Sequence, residues 1–228
     1  MLSVFERFAD NARGAGIVIA PAMAFYGGLG DLMATAAMGE WDGADEIRIA
    51  VALDSWKPTR GTRLTGHRNP GQRFIFSNSR LERADPPPGR TWNFPPPFGE
   101  QNVVPLSLAE TITISRHLRT AEIRVFMNLV PIADLRNPET PTPTATDESG
   151  RSAQMFLMDV IARRGNEERR VVARGRDIYA VTAPIVVEAT QRIVDGLAKA
   201  TGVHAAGELF DARDFLNSLS PHLQVDFL

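Results

Sequence analysis

The chain of 228 residues contains no cysteine. Disulfides, thiolate metal sites and a cysteine nucleophile are therefore excluded. Lysine is almost missing: of 25 basic residues only Lys57 and Lys199 are lysines. A Schiff-base or general-base lysine thus has two candidates at most. No charge sign dominates. The net charge of −2 excludes a polybasic nucleic-acid binder. No apolar run reaches the roughly 18–20 residues that cross a bilayer. The segment Met1–Asp10 has no apolar core of signal-peptide length, so cytoplasm is the expected compartment. What is present is globular in texture. With 43% hydrophobic and 23% charged residues, the chain builds a sizeable core without a covalent staple.

The pattern opens with a helix. Ser3 followed by Glu6 reads as a capping box, Phe5, Phe8, Ala9 and Ala12 form one stripe, and Gly14 stops it. Gly16–Pro21 is a short apolar run, the signature of a strand buried on both faces in a parallel sheet. A Gly-rich turn, Tyr26–Asp31, follows, and Asp31 is placed to cap a helix to about Met38. This is α/β grammar, yet no second unit follows. Two readings stay open: the end of a domain whose earlier part is absent, or a strand of the sheet that comes next.

From Glu46 to Asp54 apolar and polar residues alternate, predicting an antiparallel strand covered on one side. Further strands are predicted at Arg73–Ser77, Thr111–Ser115, Glu122–Leu129, Ser152–Arg163 and Arg169–Gly175. Arg164–Glu167 should turn the last two into a hairpin. Asp85–Gly89, Phe94–Phe98 and Pro138–Thr146 read as Pro-rich surface loops. A helix starts after Tyr179 with Ile185, Val186, Ala189, Ile193 and Leu197 on one side and Gly202 at its end. A short helix from Asp211 and a strand Leu223–Phe227 finish the chain. The fold class expected is α+β: an antiparallel or mixed sheet with flanking helices.

Chemistry is sparse. The histidines are His67, His117, His204 and His222, with no His-Glu-x-x-His, so no metal site is expected. Gly-x-Ser-x-Gly is absent. Gly28-x-Gly30-x-x-Met33 fails the dinucleotide fingerprint at its third position. The turn still has a functional reading, because a turn at the end of a parallel strand faces the crevice where α/β proteins bind ligands. Its alternative is a tight turn with no ligand. Thr182 and its neighbouring amides could hold a carboxylate or phosphate at a helix start, or simply cap it with Tyr179 in the core. His117, after an expected strand, is a candidate acid or base at the sheet rim, or a surface histidine.

The stretches Pro21–Asp31, Asp147–Gln154, Ala173–Pro184 and Gly202–Leu219 resemble, in order, the saccharopine dehydrogenase-like oxidoreductases. The resemblance implies a sheet domain similar to the C-terminal domain of glyceraldehyde-3-phosphate dehydrogenase, which serves substrate binding and dimerisation. It also implies NAD(P) as cofactor of the complete enzyme. Residues 1–40 would be the residual end of the nucleotide-binding domain and 41–228 the substrate and dimerisation domain. The phosphate loop of that family is missing, so this chain alone is expected to bind NAD(P) weakly or not at all. Tyr26, Gly27 and Gly28 would line the cofactor crevice. His117 and Tyr179 are the catalytic candidates, and Arg151 the substrate-binding one. The expected partners are a small-molecule substrate and a second copy in a homodimer, with neither nucleic acid nor membrane. The alternative is a non-enzymatic dimeric ligand-binding or scaffold protein.

Overall fold

A computed structural model describes residues 2–68, 74–83, 85 and 87–228, the side chain of His67 excepted. Arg73 of the third expected strand and Pro86 of the first Pro-rich loop lie outside the described residues. Helix α1 (Leu2–Gly14) leads into β1 (Val18–Ile19), a π-helical turn (Phe25–Leu29) and α2 (Gly30–Met38). Then come β2 (Ala44–Leu53), α3 (Arg60–Arg68), β3 (Phe74–Ser77), β4 (Arg80–Arg83), β5 (Arg90–Asn93) and β6 (Glu100–Pro105). They are followed by α4 (Ala109–Ile114), β7 (Thr120–Asn128), α5 (Leu129–Arg136), β8 (Met155–Arg164) and β9 (Glu167–Arg176). The chain closes with α6 (Thr182–Val194), β10 (Gly202–Val203), α7 (Ala206–Leu209), α8 (Ala212–Ser218) and β11 (Leu223–Phe227).

The α+β class is the observed one. Among the described residues nine strands form one sheet along β11-β9-β8-β2-β7-β3-β4, with β6 also on β7 and β5 on β6. The sheet is mixed, because β2 runs parallel to β7 and antiparallel to β8. The strand expected to be covered on one side is therefore central. Its period of two sorts residues between two cores. Ile47, Ile49, Val51 and Leu53 face the helices. Ala50 and Ala52 face the β5–β6 hairpin, which lays Trp92 and Phe94 over them with Phe126, Leu157 and Val172. Small alanines fit there because two aromatic side chains fill the space above.

The same hairpin covers the second face of β8. Phe156, Met158 and Val160 enter the helical core, and Leu157 enters the hairpin core. On that face the hairpin core takes Leu157 and packs against Ile161, while Met155 stays 41% exposed.

Several expectations are corrected. Gly16–Pro21 is not buried on both faces: Ile17 is 51% exposed, and β1 spans two residues. Nor does it lack a parallel partner, since Val18 and Ile19 pair with Gly202 and Val203 of β10. Phe5, Ala12 and Val203 make a small separate core there. Ser3 sits inside α1 rather than capping it. Thr111–Ser115 is largely helix α4, not strand. Thr113 Oγ1 and Ser115 Oγ donate to the carbonyls of Glu110 and Ile112 at 3.4 and 2.9 Å, and α4 is buried throughout its last five residues. Packing on every side overrides the strand preference of a β-branched run. Helix α6 ends at Val194, with Gly196 at φ +73°, and Gly202 opens β10 instead. Leu197 is therefore off the helix, 62% exposed, while Ile185 and Ala189 alone of its expected stripe are buried.

Candidate functional site

The Gly-rich turn owes its glycines to its own backbone. Ala22 takes a left-handed φ of +58°, and Gly28 N and Leu29 N both donate to Ala24 O, at 2.9 and 3.1 Å. A Cβ on Gly27 would lie 2.5 Å from Ala22 O, and one on Gly28 would lie 3.1 Å from Met23 Sδ. Gly27 and Gly28 are buried. They close the turn on the chain itself rather than opening it to a ligand. Asp31 does not cap α2; it lies in the first turn with its side chain turned inward. A π-turn of this kind re-aims side chains and is frequent at functional sites.

Tyr26 is the residue so aimed. Its ring meets Phe25 at 4.9 Å and Trp56 at 5.8 Å between centroids. Trp56 Nε1 donates to Tyr179 Oη at 2.8 Å. Thr59 N adds a second donor to that oxygen at 3.2 Å, and Thr62 Oγ1 shares a hydrogen bond with it at 2.9 Å. The structure thus brings two of the expected residues, Tyr26 and Tyr179, to one indole. Trp56, in no motif, is what joins them.

Tyr179 is placed by Asp177, a non-glycine residue at φ +62°. Burial pushes the Asp177 carboxyl up. The N–H groups of Ser152, Ala180 and Tyr179 more than offset this and hold it below the usual range. They donate to it at 2.7, 3.0 and 3.0 Å. The turn that leads into α6 is therefore held by the Asp177 carboxylate. Thr182 Oγ1 donates to Ile178 O and accepts from Phe25 N at 3.4 Å, tying α6 to the π-turn. Thr182 is thus a strut, and its side chain does not cap the helix as one of its two expected roles required.

A cavity of about 120 Å³ lies beside Tyr179, lined also by Asp54, Ser55, Lys57, Thr144 and Gln154. Gln154 forms its wall, donating to Ser55 O and accepting from Ile178 N. Asp54, Lys57 and Thr144 are exposed at the mouth. One cation, one carboxylate and several hydroxyls suit a small polar molecule carrying both charges.

His117 is not at a sheet rim. It follows α4, and its Nε2 lies 3.0 and 3.2 Å from the two oxygens of Asp31, which is fully buried. Gly207 N donates to Asp31 Oδ1 at 2.8 Å. Burial disfavours the imidazolium, but the hydrogen bond and charge of Asp31, aided by Glu208 and opposed by Lys199, outweigh it, so the His117 pKa is raised. Arg151 is also apart. It lies at the surface with Nη2 3.1 Å from His222 Nδ1, and it does not line the cavity.

Glu110 was missed altogether. It is fully buried in α4, and neither carboxyl oxygen has a hydrogen-bond partner. Burial first, then the Asp31 charge, push its pKa up to about 8, against a partial pull from its own backbone N–H. The Tyr26 hydroxyl is likewise buried without a partner, and burial together with Glu110 raises it well above the ordinary phenol value. No sequence signal distinguishes Glu110 from a first-turn helix carboxylate.

Among the described residues no cluster of three or more His, Asp or Glu side chains could hold a metal ion, and no helix is long and apolar enough to cross a membrane. No protein-family model matches this chain, and no curated protein matches it.

Proposed function

We propose that this chain is the substrate-side and dimerisation domain of a nicotinamide-dependent oxidoreductase of the saccharopine dehydrogenase-like kind, with the cavity beside Tyr179 taking a small polar substrate. The observation that carries the reading is the convergence of Tyr26 and Tyr179 on Trp56 next to that cavity. In such an enzyme the cofactor supplies the hydride chemistry. The chain's own residues would bind and orient: Lys57 and Asp54 at the mouth for opposite charges, Tyr179 at the inner wall as a ring fixed through its hydroxyl by Trp56, Thr59 and Thr62. NAD or NADP would be held mainly by a nucleotide-binding part.

Trp56 gives the test its signal. Titration with a panel of free amino acids and 2-oxo acids should change its fluorescence saturably. Tyr179→Phe and Lys57→Ala should abolish the response. Silence across the whole panel would overturn the assignment. Calorimetry with NADH and NADPH should show no binding in the low micromolar range, about −8 kcal/mol.

A non-enzymatic dimeric ligand-binding protein is the second reading. It is favoured by the burial of Asp31 and Glu110, the carboxylates nearest His117 and Tyr26, away from any substrate. The homodimer belongs to both readings, and exposed Val186, Val187 and Val194 on α6 offer it an apolar surface. Light scattering at tens of micromolar, giving a monomer mass, would remove it.

A further inference from the structure

The sheet ends at one side in β11, which pairs with β9 alone. Its hydrogen-bond phase is fixed by Leu228 and Arg170, which exchange both backbone bonds, at 2.8 and 3.1 Å. In an antiparallel ladder such pairs alternate with pairs that exchange none. Gln224 and Asp226 therefore bond to β9, opposite Arg174 and Val172. The N–H and C=O groups of Val225 and Phe227, and the C=O of Leu223, point away from the sheet. Among the described residues no other strand or side chain takes them.

An unpaired edge is a template for another strand, and folds commonly guard it with charge. The other end of the sheet is guarded in this way: β4 exposes Arg80, Glu82 and Arg83. β11 is not. Its one charged residue, Asp226, is paired with Arg174, and Gln224 Nε2 donates to it at 3.0 Å. The strand is also held in its extended form. Phe227 lies under the Arg213 guanidinium, 4.1 Å from the ring centroid, and Leu223 N donates to Leu219 O at 3.1 Å.

We infer that β11 docks on β11 of a second copy of this chain, antiparallel about a two-fold axis at Val225. This gives the proposed homodimer its surface and rests on that part of the reading alone, not on the oxidoreductase assignment. The bonding phase narrows the register. An axis at Asp226 sets two like charges directly opposite each other, which is destabilising. An axis at Gln224 sets Phe227 against Pro221 of the partner subunit, which has no N–H to give. Axes nearer either end overlap less of the strand. The Val225 axis matches all five of its residues. Each Val225 N–H then donates to Val225 O of the partner subunit, and each Phe227 N–H to Leu223 O of the partner subunit. Gln224 comes opposite Asp226 of the partner subunit, an amide donor facing a carboxylate.

The test is analytical ultracentrifugation of the full chain from micromolar to millimolar concentration, with amide hydrogen exchange measured at the same concentrations. The wild type should associate to a dimer, and exchange at Val225 and Phe227 should slow as concentration rises. Val225→Pro removes an N–H that β9 does not use, so the melting temperature should hold while the dimer dissociation constant rises at least about tenfold. Gln224→Glu changes an exposed side chain and sets a second carboxylate against Asp226 across the axis, so it should weaken the dimer in the same direction. Val187→Glu, on α6, should leave association unchanged. A dimer that survives both β11 variants, or one that is lost only in Val187→Glu, would overturn this surface and leave the homodimer standing. So would a dimer in which exchange at Val225 and Phe227 ignores concentration. A wild-type monomer throughout would remove the surface and the homodimer together.

Discussion

Among the described residues three carboxyl side chains have no solvent exposure, and they are provided for differently. Asp159, on the hairpin side of the sheet, accepts from Arg170 Nε and Nη2 at 2.8 and 2.6 Å and from Trp92 Nε1 at 2.8 Å. Asp31, on the helical side, has the His117 ring and the Gly207 amide. Glu110, also on the helical side, has no hydrogen-bond partner. The first two accept hydrogen bonds from side chains and backbone brought to them by packing. The third is carried as a neutral acid across most of the physiological range, because leaving water with no partner disfavours its ionised form. The same residue class in the same fold is thus provided for differently, according to which side chains and amides the packing brings to it.

The largest test is Asp31→Ala. It leaves His117 buried without its partner and Gly207 N–H without an acceptor, so chemical denaturation should show a loss of about 3–5 kcal/mol. A loss below about 1 kcal/mol would mean that the pair contributes little beyond balancing its own burial. Gly207→Ala attacks the pair by sterics. A Cβ there would lie 2.0 Å from Thr35 Oγ1 and 2.7 Å from both Asp31 Oδ1 and His117 Cε1. Overpacking of this kind costs about 1–3 kcal/mol, and a fall in melting temperature of several degrees should report it.

Glu110→Gln should act in the other direction. Its folded pKa stands above the ordinary 4.5, at about 8. The folded state then binds more protons through that window, so stability falls as pH rises from 4.5 toward 8. The slope is at most about 1.4 kcal/mol per pH unit. The variant should lose most of this slope and gain stability relative to the wild type near pH 8. A smaller fall above pH 6.5 should persist from His117, whose pKa is also raised. Urea midpoints at pH 5, 6.5 and 8 would check it, and an unchanged slope would show that Glu110 ionises freely. Trp92→Phe is the mildest change. It removes one of three hydrogen bonds to Asp159 and should cost about 1 kcal/mol.

These cases also show where sequence reading stops. The strands β2, β7, β8 and β9 were legible because period-two alternation is local, and so was the turn at Gly165, at φ +59°. The start of α8 at Asp211 was legible for the same reason, and there Asp211 accepts from the amide three residues on. Tyr26 and Tyr179 were singled out by their motifs, but not the indole that joins them, since Trp56 lies 30 and 123 positions away in the chain. His117 was read as a rim residue, because a β-branched run beside it suggested a strand where buried helix α4 lies.

The sequence by itself determined where the strands of the sheet run and which of their residues share a face. Alternating side chains must point to opposite faces, and the large residues on both faces of β8 require two layers of cover. Only the tertiary structure decided what the covers are and what the ionisable groups become. A hairpin from residues 90–105 closes one face, and Asp31 meets an amide 176 positions away while Glu110 meets none. Such partners are fixed by how distant segments pack. The free energy of a buried charge depends on those partners and not on the residues beside it in the chain.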